Sequence, residues 1–235
     1  MTKEKQTQAL DVNEAITKSE SIVSKHPKSI IIALAALILL VGGFFAVKYF
    51  YLTPREEKAQ TLLAMGQTYL LQGEYEKALK GDSLTFPGYL KISSEYNFTD
   101  AANLAHAYAG ICYAKTGKVA EAIASLEKFS TKSDATISPA ILATLANCYA
   151  TNKDLDKAIK TFKEAAELAD NASLSPLFLI EAGKLLESQG KSEEALKLYK
   201  EVKNNYPTSS QAAPNFQNGK NIAPEIDKYI ERASK

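Results

Sequence analysis

The stretch "YAGICYAKTGKVAEAIASLEKF", Tyr108 to Phe129, is echoed by "LANCYATNKDLDKAIKTFKEA", Leu145 to Ala165. Each carries a small residue, then Cys-Tyr, a turn, and Ala-Ile with a large apolar residue beyond. The pattern fits the chain four times. Its small residue is Gly66, Gly110, Ala146 and Gly183, followed three positions on by Tyr69, Tyr113, Tyr149 and Leu186. Twelve positions after the small residue come Ala78, Ala122, Ala158 and Ala195, and Leu126, Phe162 and Tyr199 follow the last three alanines by four. The spacing is that of two antiparallel helices in close approach. The small side chain admits the second helix, the tyrosine and the large apolar residue fill the flanking space, and the alanine lets the next pair stack. One such hairpin cannot bury its apolar face alone, so the recurrence predicts an all-α solenoid of about four repeats.

A second feature sits upstream. "SIIIALAALILLVGGFFAV", Ser29 to Val47, is 19 residues without a charge, bracketed by Lys28 and Lys48. That length suffices for a helix across a hydrocarbon core of roughly 30 Å. Tyr49, Phe50 and Tyr51 stand where an interfacial aromatic belt stands. A cleavable signal peptide is the competing reading. It would need a long, acid-containing n-region and an over-long h-region, and cutting after Ala46 would leave bulky Phe44 in the small-residue position. The expectation is an uncleaved single-pass anchor over 29–52. The short lysine-bearing tail is expected on the cytoplasmic side, because long domains translocate largely regardless of charge.

The remaining organisation follows. Residues 1–28 form a cytoplasmic N-terminal segment in which Val12, Ile16, Ser19 and Val23 share one face of an amphipathic helix; a disordered tail is the alternative. Thr53-Pro54 opens the repeat region, 53–207, with punctuation at Gly73, Gly117, Asn152 and Gly190. No strand-like alternation of useful length is present. Residues 208–235 read as a loop and a C-terminal capping helix, "PEIDKYIERA", with Ile226, Tyr229 and Ile230 facing inward. Repeat spacings are 44, 36 and 37, so the first repeat holds an insertion of about ten residues, placed near 81–88 in "GDSLTFPG".

Charge is nearly balanced, with a formal net charge of +1 and arginine only at Arg55 and Arg232. Phosphate recognition favours arginine forks, so nucleic acid is not an expected partner. Two cysteines and two histidines are too few for a zinc site or a disulfide framework. Cys112 and Cys148 occupy one repeat position in successive units. Stacked helices lie about 8–10 Å apart, beyond the reach of a disulfide, so both are expected to be unpaired packing residues. No Walker loop, dinucleotide fingerprint or serine-nucleophile motif occurs, and no cofactor, metal or small-molecule substrate is expected. His106 and Cys112 share a helix, but six residues place them about 120° apart and some 9 Å along the axis. That leaves the base out of reach of a nucleophile. The chain does not read as an enzyme.

What remains is surface. By repeat position the concave groove is lined by Leu63, Gln67, Leu70, Leu104, Ala107, Ile111, Ala143, Asn147 and Ile180, although each of these serves equally as inter-helix core. The insertion, with Leu84, Phe86 and Tyr89, is a second partner-binding candidate, since repeat insertions map to loops on one face. It equally allows folding back onto its own helices.

The order small-x-x-Tyr, Gly, Ala-x-x-x-aromatic, Pro, fullest in "AGKLLESQGKSEEALKLYKEVKNNYP", resembles the tetratricopeptide repeat over roughly Glu57 to Pro207. It departs in lacking a tryptophan at the start of each repeat. The layout, with "EAITKSESIVSKHPKS" before the span and "YFYLTPREEKAQ" after it, is similar to the bacterial YfgM family. That resemblance implies an ancillary subunit of the SecYEG translocon, in the inner membrane, with its repeats among the periplasmic chaperones. Its partners would be translocon subunits, a membrane-anchored chaperone or an emerging polypeptide. A cytosol-facing tetratricopeptide receptor or assembly factor of inverted topology is the alternative.

Overall fold

A computed structural model of the chain describes residues 27–82, 84–217 and 220–235. The amphipathic N-terminal segment expected before Pro27 lies outside the described residues. The chain divides into two compact units, 1–54 and 55–235.

The first unit holds helix α1, Pro27–Ala46, and a π-helix, Val47–Leu52. None of the residues of α1 is buried. Among the described residues, this is the one helix long and apolar enough to cross a membrane. Phe45 and Tyr49 stack at its end, with ring centroids 6.3 Å apart. The widened π turn is closed at Thr53, whose hydroxyl donates to the Lys48 carbonyl at 3.0 Å.

The second unit is built of helical pairs. Helix α2 (Thr53–Leu71) precedes α3 (Tyr75–Lys80) and α4 (Tyr89–Glu95). Three regular pairs follow: α5 (Asp100–Lys115) with α6 (Val119–Leu126), α7 (Ile137–Thr151) with α8 (Leu155–Ala169), and α9 (Ser175–Ser188) with α10 (Ser192–Asn205). From α4 onward each helix packs on its neighbour in sequence, and α5 also touches α7, as stacking of repeats requires. Three successive apolar clusters run along the stack, with α5 contributing Ala105 to the first and Ala107 to the second.

The crossing residues behave as close contacts. Ala78, Ala122, Ala158 and Ala195 are all fully buried. A Cβ on Gly110 would lie 2.5 Å from Leu126 Cγ, and one on Gly183 would meet the ring of Tyr199. The partner stands sixteen residues after the glycine each time. At Gly66 that position is Asp82, a polar residue that cannot fill the space. Phe86 and Tyr89 fill it instead, and a Cβ on Gly66 would lie 2.5 Å from the Phe86 ring.

The insertion thus completes the first repeat from outside its regular register. Gly81 and Gly88 take φ of 94° and 90°, and a Cβ on Gly88 would come within 2.6 Å of the Gly81 nitrogen. The bulge is pinched shut at its base. Above the pinch, Asp82 accepts from the amides of Leu84, Thr85 and Phe86 at 2.8–3.0 Å and from the Tyr69 hydroxyl at 2.7 Å. Phe86 and Tyr89 are buried by this fold-back, and Leu84 alone of the three expected contact residues points outward.

The break expected at Asn152 is found: α7 ends at Thr151 with Asn152 as its C-cap at an ordinary φ of −76°, and the left-handed residue of the turn is Lys153, with φ of 66°. Lys153 aligns with Gly73, Gly117 and Gly190, which take φ of 75–76°. The segment after Pro214, read as a loop, contains a short antiparallel hairpin, β1 (Asn215–Gln217) with β2 (Lys220–Ile222). Its signal was Asn218-Gly219, the dipeptide best suited to a two-residue hairpin connection. Beyond it, α11 (Glu225–Ala233) covers the last pair. Ile226 is fully buried, and Arg232 donates to the Glu187 carboxylate, at 2.9 Å from Nε.

Candidate partner groove

Consecutive first helices α5 and α7 leave a cavity of about 450 Å³ between them. Ile111, Ala114 and Lys115 come from α5, and Thr144, Asn147, Cys148 and Thr151 from α7. Gly117 and Val119, in the turn and at the start of α6, complete the lining. The helical period explains the set: residues three and four apart share a face. Thr144 and Thr151 turn their hydroxyls back onto the Ala140 and Asn147 carbonyls, at 2.9 Å each. Their methyl groups are left to the cavity, as a helical hydroxyl bonded to its own backbone dictates. The walls are therefore mostly apolar or small, with one charge, Lys115, at the rim.

Of the nine groove residues expected from repeat position, Ile111 and Asn147 line this cavity. Leu63, Ala107, Ala143 and Ile180 are buried in the helix-to-helix core and present no groove surface. Leu70 and Leu104 are half-buried against the first cluster. Gln67 is exposed, and its amide donates to the Tyr108 hydroxyl at 3.0 Å. Repeat position alone cannot separate the groove face of a first helix from its adjoining core face, which lies about 100° around the same cylinder. Ala114, Lys115, Thr144 and Thr151 were missed for that reason. Their signal is the i+3/i+4 spacing from Ile111 and Asn147.

The electrostatics give no catalytic arrangement at the pair weighed from sequence. Burial pushes the Cys112 thiol up to about 12, and that of Cys148 upward as well. A nucleophilic cysteine needs the opposite shift. Burial and the Lys128 ammonium lower the basicity of His106. Both cysteines are free thiols. Among the described residues, no three His, Cys, Asp or Glu side chains gather to hold a metal.

Polar contacts instead fix the stack. Glu56 on α2 accepts from the Asp100 and Ala101 amides at 2.7 and 3.1 Å, capping α5 from a different helix. Asn103 and Ser130 exchange two hydrogen bonds of 2.7 Å, tying the α6–α7 loop to α5. Asp134 accepts from the amides of Thr136, Ile137 and Ser138 at the start of α7. Glu56 thereby joins α2 to α5, Asn103 joins α5 to the loop that leads into α7, and Asp134 caps the start of α7.

A family model described as the C-terminal domain of Suppressor of spindle checkpoint defect 1 matches residues 109–212, less than half of the chain. No curated protein matches. Among solved structures, the chain is similar to nearly identical tetratricopeptide-like repeats of a Podosopora anserina kinesin light chain-like protein. Identity is 13% and TM-score 0.55, covering 76% of this chain and 86% of that one. A single-substitution variant of the same repeats gives 14%, 0.50, and coverage of 76% and 94%. MamA gives 21%, 0.48, and coverage of 72% and 92%. At such identities the likeness concerns the fold alone. The chain is an all-α protein with a tetratricopeptide-like helical repeat fold, preceded by one apolar helix of membrane-spanning length.

Proposed function

We propose that this chain is a membrane-anchored scaffold whose α5–α7 groove holds an apolar segment of a protein partner working at the membrane surface. The observation that carries this reading is the mostly apolar cavity framed by two consecutive repeats, with the α6–α7 loop tied to α5 through Asn103. Its size and small-residue walls suit a side chain or two of an extended or helical peptide, and pockets of a few hundred Å³ are the usual scale for recognition. The span of α1 supplies the anchor, and the covalent continuity from Leu52 into α2 leaves no long tether for the repeats to roam.

The layout favours an accessory role at the protein translocon, with the repeats on the periplasmic side of a bacterial inner membrane among its chaperones. The expected partners are translocon subunits, a membrane-anchored chaperone or an emerging polypeptide.

Photo-crosslinking in intact membranes tests both levels. A benzophenone amino acid placed at Asn147 is expected to capture a translocon or chaperone protein. The same probe at Lys163, exposed on α8, is expected to capture little. Ile111→Asp puts a charge into the groove at a position outside the three apolar clusters, and is expected to abolish the Asn147 adduct while leaving helicity intact. Equal adducts from Asn147 and Lys163 would remove the groove from the reading. Capture of unrelated proteins at Asn147 would retain the groove and remove the translocon.

A further inference from the structure

We propose that the turn between α4 and α5 inserts Phe98 into the interfacial layer of the lipid bilayer, giving the first repeat a second point of attachment beside the anchor. This rests on the reading of α1 as a membrane span. Phe98 is 92% exposed, the highest exposure of any large apolar residue described in the repeat unit, and it holds a left-handed φ of 67°. A bulky residue in that conformation is a genuine outlier, costly in backbone energy. Glycine or asparagine would suit the backbone better, so neither burial in this chain nor local geometry accounts for the ring.

The turn's position supplies the occupant. Three contacts lash it to the first residues of α2. Glu56 accepts from the Asp100 and Ala101 amides. The Arg55 guanidinium donates to the Glu95 carbonyl and lies over the Tyr96 ring, 5.4 Å from its centroid. Arg55 in turn follows Leu52, the last residue of the π-helix, by three residues, which at full extension is about 10 Å of chain. The turn is therefore tied to residues that follow the exposed run Tyr49, Phe50 and Tyr51 by only a few positions in the chain. Aromatic rings at interfacial depth are the side chains that membranes retain. The occupant is thus a lipid surface.

The chain contains no tryptophan, so one introduced residue reports without background. Full-length Phe98→Trp and Leu84→Trp variants are reconstituted into phosphatidylcholine vesicles, with and without brominated lipid whose bromines lie near the headgroup. Leu84 is almost equally exposed, at 91%, but sits on the pinched bulge of the insertion. The expected result is a blue-shifted, bromine-quenched emission for Phe98→Trp and an unshifted, unquenched one for Leu84→Trp. An emission from Phe98→Trp that is unquenched overturns the proposal, whether it is red-shifted, as in water, or blue-shifted, as under a protein partner or a second copy. Equal quenching at both positions also overturns it, because the whole domain would then lie on the bilayer.

Phe98→Gly, matched to the left-handed backbone, provides a second measurement. Wild type is expected to show slower amide exchange over Tyr96–Ala101 in vesicles than in detergent, and Phe98→Gly to fold and lose that difference. Equal slowing in both proteins overturns the insertion. Flotation separates the two readings. A chain that does not float with vesicles removes the anchor and this inference together, whereas a floating chain with an unquenched reporter removes this inference alone.

Discussion

Lys153 occupies a position that three of the four repeats give to glycine. Its φ of 66° matches Gly73, Gly117 and Gly190, and the amide after each left-handed residue closes back onto a helical carbonyl five residues earlier. A side chain in the left-handed region costs about 1–2 kcal/mol, so Lys153→Gly is expected to stabilise the folded chain by about 1 kcal/mol. A rise in the urea midpoint of the detergent-solubilised protein checks it. Asp82 is a residue-scale device of another kind. Hydrogen bonds from the Phe86 amide, the Tyr69 hydroxyl and Thr85 hold its carboxyl far below the ordinary carboxylate range. The folded pKa is depressed, so the stability linked to it is fully present above the unfolded value and is lost as pH falls below it. Wild type is therefore expected to lose stability progressively below about pH 4, taking the ordinary Asp pKa as the upper edge. Asp82→Asn is expected to lose that part of the acid slope, as read from urea midpoints across pH. Glu76 is held down to about 2 by Lys118 and Lys80, but these side chains lie at the solvent-accessible surface, where ion pairs contribute little.

The element that departs most from its siblings is the second helix of the first repeat. Elsewhere one helix supplies both the alanine and, four residues on, the large residue that covers the small crossing position. Here α3 stops at Lys80, and the chain loops through Gly81–Gly88 before α4 resumes. Phe86 does the work of Leu126, Phe162 and Tyr199 from the loop itself, stacked on Tyr69 at 5.6 Å and edge-on to Tyr89 at 5.6 Å. Phe86→Ala is therefore expected to destabilise the chain by about 3–5 kcal/mol, as for a fully buried core phenylalanine. Leu84→Ser, two residues away and exposed, is expected to change stability by less than about 0.5 kcal/mol. Thermal or urea unfolding of both variants measures the contrast. Similar small losses would mean that the bulge does not hold the first repeat together.

At the scale of the whole molecule, sidedness decides between the translocon accessory and its inverted alternative. Cys112 and Cys148 are buried thiols held protonated by burial, so neither is expected to react with a maleimide while the chain is folded. A cysteine introduced at exposed Ser234 then reports alone. With the repeats outside the cytoplasm, Ser234→Cys is expected to react with a membrane-impermeant maleimide in intact cells. Labelling only after permeabilisation would reverse the topology. Labelling of wild type without denaturant would contradict the burial of the native thiols.

The repeat was legible because its constraint is periodic and local. A glycine, a tyrosine and an alanine at fixed offsets state the helix crossing, and 19 uncharged residues state an apolar helix of membrane-spanning length. The hairpin at β1–β2 was not read, because a three-residue strand shows too little alternation to stand out. What the sequence left open were choices between equivalent places. Whether Phe86 covers Gly66 or faces a partner depends on the pinch at Gly81 and Gly88, which brings distant backbone together. Whether Leu63, Ala107, Ala143 and Ile180 form groove or core depends on the angle at which one repeat leans on the next. The contacts that join neighbouring repeats, such as Glu56 with Asp100 and Asn103 with Ser130, link residues 44 and 27 positions apart. Periodicity determines which residues share a helix face. Only the packing of helices distant in sequence decides which of those faces water can reach.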